Sequence, residues 1–257
     1  MVKAVFFDVD GTLFSHASKT IPDSAKAALW ELSGKGIPCV IATGRHMAEL
    51  EELAVRDFRF DGYITLNGQL CLDGQGGLLH GEPLPEEDKA RLLTLFSEKE
   101  IPLMLVEQDR MYINFVNDMV REAQASVSTA VPQVGQYKGA PLYQAIPYVP
   151  PGREEELARL LPGCMVTRWT EYAVDVISKQ GGKAAGIKHW LDRMDLDRAE
   201  IMAFGDGEND IGMLEFAGIG VAMGNAAPRA KAAADHVTDH IDKDGIAKAL
   251  RHYRLIE

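Results

Sequence analysis

The 257-residue chain has only three cysteines, Cys39, Cys71 and Cys164, and no two of them lie close in sequence. That spacing speaks against a disulfide framework or a cysteine-ligated zinc site, and it fits small apolar core residues in a reducing compartment. Long apolar runs are missing too: none approaches the roughly 20 residues that cross a bilayer. Only Met-Val-Lys precedes the apolar stretch from Ala4 to Phe7. This is too little for a charged region followed by a secretory hydrophobic stretch, so a cytoplasmic protein is expected. Positive charge is also scarce. Lysine and arginine number 27 against 38 aspartates and glutamates, a net charge of −11, which argues against a non-specific partner of nucleic acid or anionic membrane. A small anionic substrate stays open if a metal and a few cations offset the field locally. Internal repeats and low-complexity tracts are absent.

What is present is a chain 46% hydrophobic, long enough for one large core or two smaller ones. Residues 2–7 form a short apolar run without polar alternation, as in a strand buried on both faces of a parallel sheet. Pro22 can start a helix carrying Ala25, Leu29, Trp30 and Leu32 on one side, and Gly34 and Gly36 can stop it. Residues 37–42 read as a second strand, followed by Thr43-Gly44-Arg45 and a helical pattern with Met47, Leu50, Leu53 and Ala54. The rhythm returns late: helix 181–194, strand 200–204, helix 211–217, strand 218–222. Between them, helical patterns at 85–99 and 153–161 accompany strands at 102–106, 111–115, 141–149, 165–169 and 172–177. The expected fold is α/β: a doubly wound, mostly parallel, Rossmann-like core sheet from 1–81 and 179–257, interrupted by an α+β domain at 82–178.

Ligands of such sheets bind past the carboxyl ends of the strands, where Asp8, Thr43 and Asp206 each fall. Asp8 and Asp10, at i and i+2, can share one site while Gly11 turns the chain, and a hard cation such as magnesium would offset their repulsion. Asp10 bonding its own backbone in an Asp-Gly turn is the simpler local reading. Gly205-Asp206-Gly207-Glu208-Asn209-Asp210 supplies a second acidic group. Asp206 is the best direct metal ligand there, although Asp206 or Asn209 can also cap a helix. Thr43 and the Gly44 amide suit phosphate oxygens, and Thr43 can equally cap the helix after it. Lys183 is a cation at a helix start, where the macrodipole disfavours it, which points to an anionic partner. Lys179 competes for that role, and an exposed lysine remains the ordinary alternative.

The ordered set Phe7-Asp8-Val9-Asp10-Gly11-Thr12-Leu13, Thr43-Gly44-Arg45, Lys183 and Gly205-Asp206-Gly207-Glu208-Asn209-Asp210 resembles the haloacid dehalogenase-like hydrolase superfamily. More narrowly, it is similar to the Cof-type sugar-phosphatase branch, which carries a large α/β cap where residues 82–178 fall here. The resemblance implies a Mg²⁺-dependent phosphatase acting on small phosphate monoesters through an aspartyl-phosphate. Asp8 would be the nucleophile and Asp10 the general acid/base. Asp8 and Asp206 would hold the metal by carboxylates and Asp10 by its backbone carbonyl. Thr43, Gly44 and Lys183 would hold the phosphoryl group, Asn209 would contact phosphate or substrate, and Asp210 would orient the metal shell or Lys183. Ala184 and Gly212 depart from the family pattern, where glycine and proline are frequent. Asn67-Gly68 resembles a branch motif facing the site, and an Asn-Gly hairpin turn explains it as well.

Substrate choice would rest with the cap, where Tyr112, Asn114, Tyr143, Arg168 and Glu171 are able to hydrogen-bond a sugar. A phosphotransferase or mutase on the same scaffold, or a phospho-accepting signalling module, is the alternative function. His236 and His240 are spaced i and i+4, but Val237 and Thr238 disfavour a helix and no third ligand is placed, so zinc is not expected there.

Overall fold

A computed structural model describes residues 1–53, 55, 58–127 and 129–257. Ala54, read from the sequence as part of a helical stretch, lies outside the described residues. The elements run β1 (Ala4–Phe7), α1 (Asp23–Gly34), β2 (Cys39–Ala42), α2 (Met47–Glu51), β3 (Gly62–Thr65), β4 (Leu70–Asp73) and β5 (Leu78–Gly81). Next come α3 (Glu86–Glu98), β6 (Leu103–Val106), β7 (Met111–Ile113), α4 (Asp118–Ser126), β8 (Gln144–Pro147), α5 (Glu154–Leu160), β9 (Cys164–Thr170) and β10 (Ala173–Ser178). The chain closes with α6 (Lys183–Met194), β11 (Ile201–Gly205), α7 (Ile211–Phe216), β12 (Ile219–Ala222), α8 (Pro228–Ala233), β13 (His236–Val237) and α9 (Gly245–His252). Two compact units result, Met1–His80 with Gly182–Glu257, and Gly81–Gly181.

Among the described residues, the first unit is built on an eight-stranded sheet in the order β13-β12-β11-β1-β2-β3-β4-β5. From β13 to β3 neighbouring strands run parallel, and β4 turns back antiparallel on β3. The two-residue period of a strand explains how so short a run as β1 serves two cores. Val5 and Phe7 face one cluster with Leu29 of α1 and Leu250 of α9, while Ala4 and Phe6 face another with Ile187 and Trp190 of α6. Both faces are therefore apolar, and polar alternation has no place in these strands. The chain leaves β1 toward β2 on one side and later returns on the other as β11. β1 thus sits at the switch point where such sheets open a crevice.

Three local expectations change. Trp30 is 60% exposed and leaves the buried side of α1 to Ala25, Ala28, Leu29 and Leu32, because it lies about 100° around the helix from Leu29. Its ring instead meets Phe58 edge-on at 5.0 Å. The helix after Thr43 spans only Met47–Glu51. The β3–β4 connection is a 3₁₀ turn over Leu66–Gly68, with Leu66, Asn67 and Gly68 all at positive φ, rather than a two-residue Asn-Gly hairpin.

The second unit is an antiparallel five-stranded sheet, β7-β6-β8-β10-β9, with α3, α4 and α5. Its core gathers Leu92 and Phe96 of α3, Leu105, Tyr112, Val174 and Val176. Three of the polar residues considered for sugar contact are committed to this frame. Tyr112 donates to Glu107 Oε1 at 2.6 Å, and Asn114 takes the Leu103 and Phe115 amides while donating to the Phe96 and Ile101 carbonyls. Arg168 is held by Glu154 and by the Val149 and Thr170 carbonyls. Cys39, Cys71 and Cys164 are free and buried. Among the described residues no helix is long and apolar enough to cross a membrane.

Candidate active site

The site grows from four strand ends. β1 stops at Phe7, and Asp8 continues its line by donating its amide to the Phe204 carbonyl at 2.9 Å. Gly11 then turns the chain at φ +79, and a Cβ there would overlap Asp206 Oδ2. This close approach, more than the turn itself, demands glycine. Across it, the Thr12 hydroxyl donates to Asp206 Oδ1 at 3.0 Å, joining the loops after β1 and β11.

Lys183 is the first residue of α6 and its side chain is fully buried. Its Nζ donates to Asp8 Oδ1 and to Asp210 Oδ1, each at 2.5 Å. A cation at a helix N-terminus is thus offset by two carboxylates. Asp210 is occupied on both oxygens, since its Oδ2 accepts the Asp206 and Gly207 amides at 2.8 Å each. Lys179, the competing lysine, donates to the Pro162 carbonyl.

Asp8, Asp206 and Asp210 offer oxygens within 4.8 Å of one another. Against three carboxylates stands one ammonium, so two negative charges are left uncompensated when all are ionised. The strain is visible in their proton affinities. Burial, joined by Asp210, Asp206 and Asp10 and opposed by Lys183, pushes the Asp8 carboxyl well above the usual range. Burial and then Asp210 push Asp206 up to about 6, against the Thr12 hydrogen bond and Lys183. Burial works against the charge on Lys183, but Asp210 and Asp8 outweigh it and raise its pKa. An all-oxygen donor set short of two positive charges fits a hard divalent cation. Asp8 keeps one carboxylate oxygen outside the Lys183 bond, which leaves it better placed as a ligand than Asp210.

Asp10 points its carboxylate at Arg45, which grips it with Nε at 2.6 Å and Nη2 at 2.8 Å, while His16 Nε2 lies 3.1 Å away. Arg45 is one of the residues whose role the sequence left open. The fork geometry fixes the orientation of the Asp10 carboxylate as a single hydrogen bond would not.

Thr43 is buried and its hydroxyl accepts the Arg45 amide at 3.2 Å. It does not cap α2. His46 does so, with Nδ1 taking the Ala48 amide and Glu49 returning to the His46 amide. A Cβ on Gly44 would press on the Asn67 amide group at 3.1 Å. Asn67, in the left-handed turn, accepts from Asn209 Nδ2 at 3.0 Å, which brings Asn209 of the β11 loop to the Thr43–Gly44 loop. Ala184 and Gly212, the two departures from the family pattern, face each other: a Cβ on Gly212 would sit 3.8 Å from the Ala184 Cβ. His236, by contrast, belongs to β13 and stacks on His252 with ring centres 4.8 Å apart.

Three groups that the sequence reading did not single out enter the site: the Thr12 hydroxyl, His16, and Asn225 in the loop after β12. Asn225 donates to the Gly11 carbonyl at 2.7 Å and accepts from the Ile241 amide at 3.0 Å.

Acids, a buried lysine and a threonine at the carboxyl edge of a parallel sheet suit phosphoryl transfer. The match to the haloacid dehalogenase-like hydrolase family covers residues 5–250, and the chain belongs to that family. It is 36% identical over 262 residues to a Bacillus subtilis (strain 168) protein named "Putative phosphatase YkrA", with 99% of each chain covered. The solved structure of BT1666 from Bacteroides thetaiotaomicron, described among phosphatases of the HAD superfamily, superposes with a TM-score of 0.91 at 35% identity, covering 100% of this chain and 96% of that one. BT4131, described as a HAD subclass IIB sugar phosphatase, gives a TM-score of 0.87 at 36% identity over 99% of this chain and 100% of its own. The chain is accordingly an enzyme of the phosphatase class with a Rossmann-like core and a cap domain.

Proposed function

We propose that the enzyme hydrolyses small phosphate monoesters, sugar phosphates or metabolites of similar size, with Mg²⁺ and through an aspartyl-phosphate on Asp8. The observation that carries this reading is the Asp8–Lys183–Asp210 chain set beside Asp206 at the switch point of the sheet. BT4131, similar over the whole chain, supports a sugar phosphate as the substrate class. Residues 82–178 would act as the cap that selects the ester.

In this reading Asp8 attacks phosphorus in line with the ester oxygen, and Asp10 protonates the departing alkoxide. Asp10 then takes a proton from the water that cleaves the aspartyl-phosphate. Arg45 donates one hydrogen bond to each Asp10 oxygen, which leaves each oxygen a second lone pair for the proton it exchanges. Lys183, Thr43 and the Gly44 amide hold the transferring phosphoryl oxygens, and Asn209 contacts phosphate or substrate. Asp210 holds Lys183 and the β11 loop in place. Mg²⁺, held by the Asp8 and Asp206 carboxylates and the Asp10 carbonyl, would neutralise charge on the phosphoryl oxygens.

The test is phosphate release from a panel of sugar phosphates, nucleotides and pyridoxal phosphate, with Mg²⁺ and with EDTA, and no added acceptor. Turnover of sugar phosphates that EDTA abolishes is the expected result. Inertness toward every ester, or release only when an acceptor is supplied, would overturn the reading.

Stability should depend on Mg²⁺ in a pH-dependent way. In the metal-free protein the folded-state pKa of Asp206 is raised to about 6, above an unfolded value near 4. Its contribution to stability is therefore fully present below about pH 4 and is lost as pH rises through 6. Mg²⁺ must displace the bound proton, so it binds best above that pH. The melting-temperature gain from Mg²⁺ is expected to be larger at pH 8 than at pH 5, as differential scanning fluorimetry would measure; an equal or reversed gain would contradict the assignment.

A further inference from the structure

Asn225 stands in the Met223–Ala226 turn after β12, outside every group given a chemical role above. Its carboxamide is used at both ends. Nδ2 donates to the Gly11 carbonyl at 2.7 Å and reaches Asp206 Oδ2 at 3.5 Å, and Oδ1 accepts the Ile241 amide at 3.0 Å. A backbone acceptor on one side and a backbone donor on the other allow only one orientation of the amide.

The loop that carries Asn225 is itself anchored. Ala226 donates to the Met223 carbonyl at 2.9 Å, Ala227 to the Asp206 carbonyl at 2.8 Å, and Gly224 to the Asp239 carbonyl at 3.0 Å. A Cβ on Gly224 would overlap the His240 amide nitrogen. Asn225 therefore projects from a fixed base toward the Gly11 turn. The Gly11 carbonyl lies one peptide beyond the Asp10 carbonyl, so holding it restricts the Gly11 torsions through which the Asp10 carbonyl could shift. Thr12, one residue on, already ties the same turn to Asp206 Oδ1.

We propose that Asn225 is a positioning residue for the divalent cation: by pinning the Gly11 carbonyl beside the Asp206 loop, it fixes the separation and aim of the Asp10 and Asp206 ligand oxygens. The inference rests on the assignment of those two residues as ligands. Outer partners of metal ligands typically govern affinity by 10- to 100-fold when removed, and Asn225 acts through the ligands without touching phosphate.

Calorimetric titration of the metal-free protein with MgCl₂ tests this on Asn225→Ala and the milder Asn225→Ser, alongside melting in EDTA and the Mg²⁺ dependence of phosphate release. Alanine is expected to raise the Mg²⁺ dissociation constant about 10- to 100-fold and serine by less. The rate at saturating Mg²⁺ should stay near wild type. If both variants are folded and bind Mg²⁺ as the parent does, the proposal is overturned, as it is if only their melting in EDTA changes. A wild-type protein that turns over esters yet shows no Mg²⁺ binding would remove the ligand assignment itself, an outcome separable from the other two.

Discussion

Asp8→Asn is expected to lower phosphate release by roughly 10⁴-fold or more, the scale on which loss of a nucleophile acts, while the protein stays folded. The substitution keeps the shape of the side chain and removes the carboxylate proposed to attack phosphorus. Its effect on stability separates it from ordinary damage. In the metal-free protein burial, then the neighbouring acids, raise the Asp8 pKa, so the folded state prefers the neutral form more than the unfolded chain does. A neutral asparagine satisfies that preference at every pH. In EDTA at neutral pH the variant should therefore unfold at or above the wild-type temperature, and Mg²⁺ should stabilise it less. Circular dichroism melts paired with a phosphate-release assay decide the matter. A folded Asp8→Asn protein that turns over substrate at close to the parent rate would remove Asp8 from the nucleophile's role.

The residues that could be read from sequence are those whose neighbours in the chain explain them. β1, β2, β11 and β12 are short runs buried on both faces, so unbroken apolarity marked them. Asp8, Thr43 and Asp206 follow such strands directly, and their convergence is a property of the parallel sheet. Arg45 and Asn225 depend instead on partners far away, and His16 on the loop after β1 folding it back toward Asp10. Asn225 meets Gly11 across 214 residues of chain, and locally Met-Gly-Asn-Ala looks like any polar turn. A signal did exist, because Asn225 lies past the end of β12, on the same edge as the other three loops. The apolar spacing of Ile246, Ala249 and Leu250 likewise marks α9. The length of α2 was misjudged because apolar periodicity continued past Glu52, and Thr43 drew attention as a cap that His46 in fact provides. Trp30 shows the opposite error, in which hydrophobicity was taken for burial although its position on the helix points outward.

Lys183→Met should be the most destabilising of the single substitutions considered. The Lys183 side chain is wholly buried, with Asp8 and Asp210 each 2.5 Å from Nζ. Methionine fills much of the same volume, so a cavity is not the main loss. Removing one partner of a buried ion pair leaves the other charge uncompensated and costs about 3–5 kcal/mol, and here two carboxylates are left. At neutral pH in EDTA the unfolding free energy should drop by about that amount. The deficit should shrink as pH falls, because without the lysine the Asp8 carboxyl loses the influence that lowers its pKa and takes up a proton more readily. Mg²⁺ should recover part of the loss by replacing positive charge. Turnover should not recover with it: losing a donor to the transition-state oxyanion is expected to lower kcat by about 100- to 1,000-fold. Urea denaturation at two pH values, with and without Mg²⁺, measures the first effect, and phosphate release at saturating Mg²⁺ the second. An Asp8–Asp210 pair that tolerates methionine without loss of stability at neutral pH would mean that the lysine is not what balances these acids, and an unchanged kcat would separately remove the phosphoryl-holding role of Lys183.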